Sequence, residues 1–215
     1  SVESDVLFVD ADLLVGHSRD ELKPERTLEK LYLAPLKQRI NQNDGRVYRD
    51  GPEFALLIDF KNNGERTYLA LQPLLRKYGE MLTSIEDDRQ RPGAVTIVVS
   101  GDRPQQLIAD QKIPLVGIDG RLSDLDSENP AHLLPMISDR WGAHFQWTGD
   151  GEIPAAEKEK LDRIVKQAHD AGRTVRFWAT PENPALWQVL YDAGVDHLNT
   201  DDLPGLQAFL RKQEK

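Results

Sequence analysis

Cysteine is absent from the 215-residue chain. Disulfide scaffolds, zinc–thiolate sites, iron–sulfur clusters and thiol nucleophiles are therefore excluded. The absence does not fix a compartment, since a cysteine-free chain suits cytosol and periplasm alike. A basic excess is lacking too: 27 Lys and Arg face 36 Asp and Glu, a formal charge of −9. Proteins held to nucleic acid by electrostatic attraction carry a basic footprint, so no nucleic-acid partner is expected. An anionic substrate would need a local cation here, from Lys, Arg or a metal. No apolar run reaches the length of a membrane span, so no transmembrane segment is expected. No signal peptide is visible at Ser1, and a secreted or periplasmic protein with that peptide removed is one expectation for location. Neither a glycine-rich phosphate loop nor a Walker-type motif is present to favour a nucleotide fold. The length suits one large domain with a substantial core, yet it is short for a (β/α)8 barrel, which takes about 250 residues.

What is present is alternation. Short β-branched, apolar runs, bounded by Gly, Pro, Asp or Asn, read as strands. They are Val6–Val9 with Leu13–Val15, Phe54–Phe60, Ala94–Val99, Pro114–Ile118, Ala143–Trp147, Thr174–Trp178 and Val195–Leu198. The first two are joined by Asp10-Ala11-Asp12, too short for a parallel crossover, so they read as one hairpin. Helical spacing predicts helices from Thr27 through Leu36, over Tyr68–Ile85, Gln105–Ala109, Pro154–Ala171, Pro184–Ala193 and Leu203–Arg211. The strands are apolar almost throughout, as in a parallel sheet covered on both faces. A doubly wound sheet and a closed barrel both fit this pattern. No repeat or linker divides the chain, so a single domain over residues 1–215 is expected.

In a barrel the chemistry sits at the C-terminal ends of the strands. Glu3 and Asp5 are two apart in an extended segment, which puts both carboxylates on one face. Such a pair is either solvated or shares a cation, and hard ions such as Mg²⁺ and Ca²⁺ prefer oxygen ligands. His17 ends the run Leu13–Val15 and is either a turn residue or a general acid/base. Asp59 and Lys61 end the third run at the same i, i+2 spacing, giving a surface ion pair or a carboxylate ligand beside a phosphate-binding ammonium. Helix caps account for Asp102, Thr200 and Asp201. Asp119 and Arg121 follow the fifth run, and Trp178 ends the seventh. His169 reads as solvated on an amphipathic helix, and His132, His144 and His197 have no telling setting. The joint pattern is the informative one: Glu-x-Asp, a His twelve residues after that Asp, then Asp-x-Lys closing the next long strand.

Ser1-Val-Glu3-Ser-Asp5-Val, with Leu-Leu-Val-Gly-His17 after it, resembles the second-strand motif of the glycerophosphodiester phosphodiesterases and phosphatidylinositol-specific phospholipase C-like enzymes. Asp59-Phe-Lys61 resembles the acid-x-Lys that closes their next strand, with Asp as in the venom sphingomyelinase D branch. Closer likeness is to an uncharacterised, mainly bacterial branch. It is carried by the stretches beginning at His17-Ser-Arg-Asp-Glu, Phe145-Gln-Trp-Thr-Gly, Arg176-Phe-Trp-Ala-Thr and Ala193-Gly-Val-Asp-His, the last closing on Thr200-Asp201. The resemblance implies a (β/α)8 TIM barrel and a metal-dependent phosphoric diester hydrolase acting on a glycerophosphodiester or phospholipid-type substrate. Glu3, Asp5 and Asp59 would bind Mg²⁺ or Ca²⁺, His17 and Lys61 would be catalytic, and Lys61 and Trp178 would contact the substrate. The family's precedent is attack by a neighbouring substrate hydroxyl, giving a cyclic phosphate. The family's other catalytic histidine lies on a first strand with no counterpart here, so the expectation is a barrel lacking its first βα unit. The alternative is a catalytically impaired barrel that binds a phosphorylated ligand or a metal. The partner expected is a small phosphodiester or lipid head group, with the oligomeric state open.

Overall fold

The computed structural model describes residues 1–51, 53–86 and 89–213. Its contacts resolve into two compact units, Ser1–Ile118 and Asp119–Lys215.

The first unit begins with the expected hairpin, β1 (Val2–Val9) and β2 (Asp12–Val15), paired antiparallel with Val9 opposite Asp12. Its two-residue turn places Asp10 at φ 49° and Ala11 at φ 69°. Two successive positive φ values match the twist of the flanking strands. Thr27 Oγ1 then accepts from Lys30 N at 3.2 Å, the cap expected there, and a wide turn over Glu29–Leu33 leads into α1 (Ala34–Gln42). β3 (Phe54–Phe60) runs parallel to β1 and is followed by α2 (Gly64–Lys77). The sequence reading carried that helix to Ile85, whereas Ser84–Glu86 is a short strand, β4, paired antiparallel with β5 (Arg89–Arg91). Tertiary pairing overrides helical spacing here, because Thr83 N donates to Val95 O at 2.9 Å. β6 (Val95–Gly101), α3 (Gln105–Ala109) and β7 (Val116–Gly120) complete the unit, with β6 parallel to β3 and the start of β7 parallel to β6. The core lies along these strands: Val6, Leu56, Ile58, Ile97 and Val99 are all at most 1% exposed. Tyr68, Leu71 and Leu75 of α2 are buried as one helical stripe.

In the second unit Asp119 and Gly120, the end of β7, pair with β8 (Met136–Arg140). A short helix α4 (Trp141–His144) and α5 (Ala155–Asp170) precede β9 (Thr174–Trp178). α6 (Pro184–Asp192), β10 (His197–Leu198) and α7 (Leu203–Gln213) follow, and β8, β9 and β10 are all parallel. The strand expected at Ala143–Trp147 does not form. Trp141 and Phe145 instead stack at 4.0 Å, and both meet the edge of Phe177. An i, i+4 aromatic pair faces one way only on a helical turn, and Trp141 Nε1 closes the segment by donating to Trp147 O at 2.8 Å.

Arg173 is the internal brace of this unit. Its guanidinium is buried and donates to the carbonyls of Asp124, Leu125, Ser127 and Asn129 at 2.8, 3.2, 2.6 and 2.9 Å. Arg173→Ala leaves those carbonyls short of donors and is expected to cost about 3 kcal/mol. Chemical denaturation followed by far-UV circular dichroism measures it, and a loss below about 1 kcal/mol would mean the 121–129 loop holds itself.

The parallel β–α alternation of the sequence reading is thus present in both units. A closed ring of strands is not: among the described residues, β2 and β10 each carry a ladder on one side only. No helix among the described residues is long and apolar enough to cross a membrane.

Candidate metal centre

Parallel pairing of β1 with β3 sets Asp5 opposite Asp59 and Glu3 opposite Leu57. Alternation then brings Glu3, Asp5, Asp59 and Lys61 to one face of the sheet. Glu3, Asp5 and Asp59 each offer a carboxylate oxygen, and these atoms lie within 4.8 Å of one another. Lys61 N donates to Val6 O at 2.9 Å, which extends the ladder by one residue and fixes where the side chain starts. From there Lys61 Nζ reaches Asp59 Oδ2 at 2.6 Å and Asp5 Oδ1 at 3.1 Å. Burial works against the ammonium, but hydrogen bonds and charge from Asp59 and Asp5 outweigh it and raise the Lys61 pKa above its ordinary value. Lys61 is therefore a fixed positive charge at neutral pH.

The hairpin supplies the histidine. Gly16 N donates to Asp5 O at 3.2 Å, so the residue after Gly16 emerges beside Asp5. His17 N is held by Glu21 Oε2 at 2.8 Å, and His17 Nδ1 lies 2.7 Å from Asp5 Oδ2. The imidazole is 71% exposed while Asp5 is 26% exposed, so the ring stands at the rim and the carboxylate beneath it. Asp5 is the hub, with one oxygen on His17 and the other on Lys61.

Gly101 was not singled out by the sequence. It sits at φ +70°, and a Cβ there would lie 2.0 Å from Asp59 Oδ1 and 2.4 Å from Phe60 O. Only glycine lets the chain pass this close behind the carboxylate. Asp59 Oδ1 is itself buried with no hydrogen-bond partner. A buried carboxylate oxygen with no donor is costly unless a cation completes it, so the donor set fits a hard divalent ion. No signal within its own segment marks Gly101, because the close approach is to a carboxylate of another strand.

Other expectations are redistributed. Asp102 is a cap, but of α2: its Oδ2 accepts from Gly64 N at 2.8 Å, across from the helix that follows it in sequence. The cap of α7 is Asp202, accepting from Gly205 N at 3.0 Å, while Thr200 Oγ1 and Asp201 N both donate to Glu182. Asp119 is buried and accepts from Ser138 Oγ and from Arg121 Nη1, each at 2.8 Å. His169 is not simply solvated: it meets Asp196 at 2.9 Å. His144 is paired with Asp139 at 3.1 Å. Burial pushes His197 down to about 4, so its imidazole is neutral at physiological pH. Trp178 ends β9 in the second unit, where it is half-buried.

Comparison with known proteins bears on the family of the chain. Residues 174–204 match the glycerophosphoryl diester phosphodiesterase family. The chain is 28% identical, over 97% of its length, to the altered inheritance of mitochondria protein 6 homolog of Arthroderma benhamiae, of which the alignment covers 74%. It is 29% identical to altered inheritance of mitochondria protein 6 of Eremothecium gossypii, with 97% of this chain and 63% of that protein covered. The Lachancea thermotolerans protein of the same name is also 29% identical, with 94% of this chain and 58% of that protein covered. The chain thus spans about three-fifths of the length of the last two relatives. These relatives are fungal, which corrects the expected bacterial branch and leaves the superfamily standing. No solved structure matches. Residues 1–114, which include Glu3, Asp5, His17, Asp59, Lys61 and Gly101 and make up over half of the sequence, match the AIM6-like phosphodiesterase domain, and the chain belongs to that family.

Proposed function

We propose that this chain is a metal-dependent phosphoric diester hydrolase acting on a glycerophosphodiester or phospholipid-type substrate. The observation that carries this reading is the convergence of three carboxylates on one face with a histidine and a lysine bonded to the same Asp5. Mg²⁺ or Ca²⁺, bound by Glu3, Asp5 and Asp59, would neutralise charge on the non-bridging phosphate oxygens.

The chain's own residues do the rest. The Asp5 carboxylate, 2.7 Å from Nδ1 of His17, favours the tautomer that carries its proton on Nδ1. That leaves Nε2 of His17 to take a proton from the attacking oxygen or give one to the leaving oxygen. Lys61, charged and only partly exposed, holds a phosphate oxygen as a point charge. Attack by a neighbouring substrate hydroxyl would give a cyclic phosphate, the outcome the family resemblance implies.

The test is hydrolysis of bis(p-nitrophenyl) phosphate and of glycerophosphodiesters, before and after EDTA and with metal restored. Chelation is expected to lower the rate roughly a hundredfold or more, as loss of a Lewis acid does, and Mg²⁺ or Ca²⁺ to restore it. Hydrolysis indifferent to EDTA would sink the reading, and cation binding without turnover would leave a binding protein in its place.

A further inference from the structure

The carboxylates that would hold the divalent cation are already bonded to an ammonium. Lys61 Nζ takes Asp59 Oδ2 and Asp5 Oδ1 together, and leaves Asp59 Oδ1 as the buried oxygen without a donor. The ligand oxygens of Glu3, Asp5 and Asp59 span no more than 4.8 Å. A cation that reaches all three therefore lies within a few ångströms of Nζ. We propose that Lys61 is a tethered counter-ion that competes with the divalent cation for Asp5 and Asp59, and so sets the cation affinity of the site. This rests on the metal-centre reading above.

Three features make Lys61 suited to that role. Its backbone is fixed by the hydrogen bond from Lys61 N to Val6 O, so only the flexible stem has to move. Its side chain is 22% exposed, which gives the ammonium a route outward. Both contacts are charge-assisted and the one to Asp59 is short, so leaving them has a real cost. Cation entry would turn the ammonium toward the rim, where an anionic oxygen can receive it. Cation binding and anion capture are then one linked event, since each removes the charge that opposes the other. A lysine that merely waited for phosphate would leave cation affinity untouched, and one that merely shaped the carboxylates would strengthen it.

The experiment is calorimetric titration of Mg²⁺ and of Ca²⁺ into the wild-type protein, Lys61→Met, Lys61→Gln and Asp59→Asn, at one pH and ionic strength. Methionine keeps the length of the stem, and glutamine keeps a hydrogen-bond donor without charge. Either neutral variant that retains the wild-type circular dichroism spectrum is expected to bind the cation about tenfold tighter, because unlike the wild type it has no positive charge a few ångströms from the ion. Asp59→Asn is expected to lose binding. Equal or weaker binding by the folded neutral variants, with binding still lost in Asp59→Asn, overturns the competition and leaves the metal centre intact. No binding by wild type or neutral variants at millimolar cation overturns the metal centre, and the competition with it.

Discussion

Gly101→Ala is expected to destabilise the protein by about 3 kcal/mol and to weaken cation binding about tenfold to a hundredfold. Two separate costs add. An L-residue at φ +70° loses about 1–2 kcal/mol against the preferred region. The new methyl would also fall 2.4 Å from Phe60 O and 2.0 Å from Asp59 Oδ1, so the strand end or the carboxylate must move. Overpacking of this kind costs roughly another 1–3 kcal/mol. Gly45→Ala is the control, because Gly45 has φ +86° with nothing within 4 Å of a Cβ. It carries the backbone cost alone, about 1–2 kcal/mol, and no change in cation binding. Thermal melts should place Gly101→Ala about 10 °C below wild type, following the usual conversion for chains of this size. If the two alanine variants melt together and both bind Mg²⁺ like wild type, the close approach of Gly101 to Asp59 plays no part in the site.

The difference between Gly101 and the residues found by spacing shows what a sequence can and cannot carry. Glu3, Asp5, Asp59 and Lys61 were legible because period-two alternation puts i and i+2 on one face whatever the partner strand. The twelve-residue gap from Asp5 to His17 was legible for a related reason, since a tight turn at Asp10 and Ala11 folds the second half of the segment back along the first. The need for glycine at 101 comes from a neighbouring strand's carboxylate, so nothing within its own segment announces it. Asp102 shows the same limit: its place at a strand end predicts a cap for the helix after it, and it caps α2, the helix that follows β3. β8 was missed because Met136–Arg140 is apolar only in its first half, while the aromatic run at 143–147 offered a stronger pattern. That run buries its rings on a helical turn against Phe177. Local spacing thus reaches the parts of the site built within β1, β2 and β3. Contacts made between segments distant in sequence decide the rest.

Asp5→Asn is expected to be the most damaging single-atom change at the centre, lowering kcat for a phosphodiester about 10³-fold or more at saturating Mg²⁺. The reason is that Asp5 has one oxygen on His17 and the other on Lys61 while also offering a ligand atom to the acidic cluster. An amide presents one acceptor and one donor, so it cannot accept from His17 and Lys61 together. If its NH₂ faces His17, the imidazole must accept at Nδ1 and carry its proton on Nε2, the tautomer that cannot act as base; loss of the correct tautomer in a catalytic triad costs about 10⁴. If its NH₂ faces Lys61 instead, donor meets ammonium and the lysine is pushed off. Either way one unit of negative charge leaves the cation site. Glu3→Gln leaves Asp5 and its bonds to His17 and Lys61 in place and is expected to cost less, about 10–100-fold. The fold should survive both, since neither side chain belongs to the apolar core. Steady-state kinetics on bis(p-nitrophenyl) phosphate, with the melting temperature of each variant recorded alongside, separates the two carboxylates. A folded Asp5→Asn enzyme no slower than Glu3→Gln would deny Asp5 its place between the histidine, the lysine and the metal.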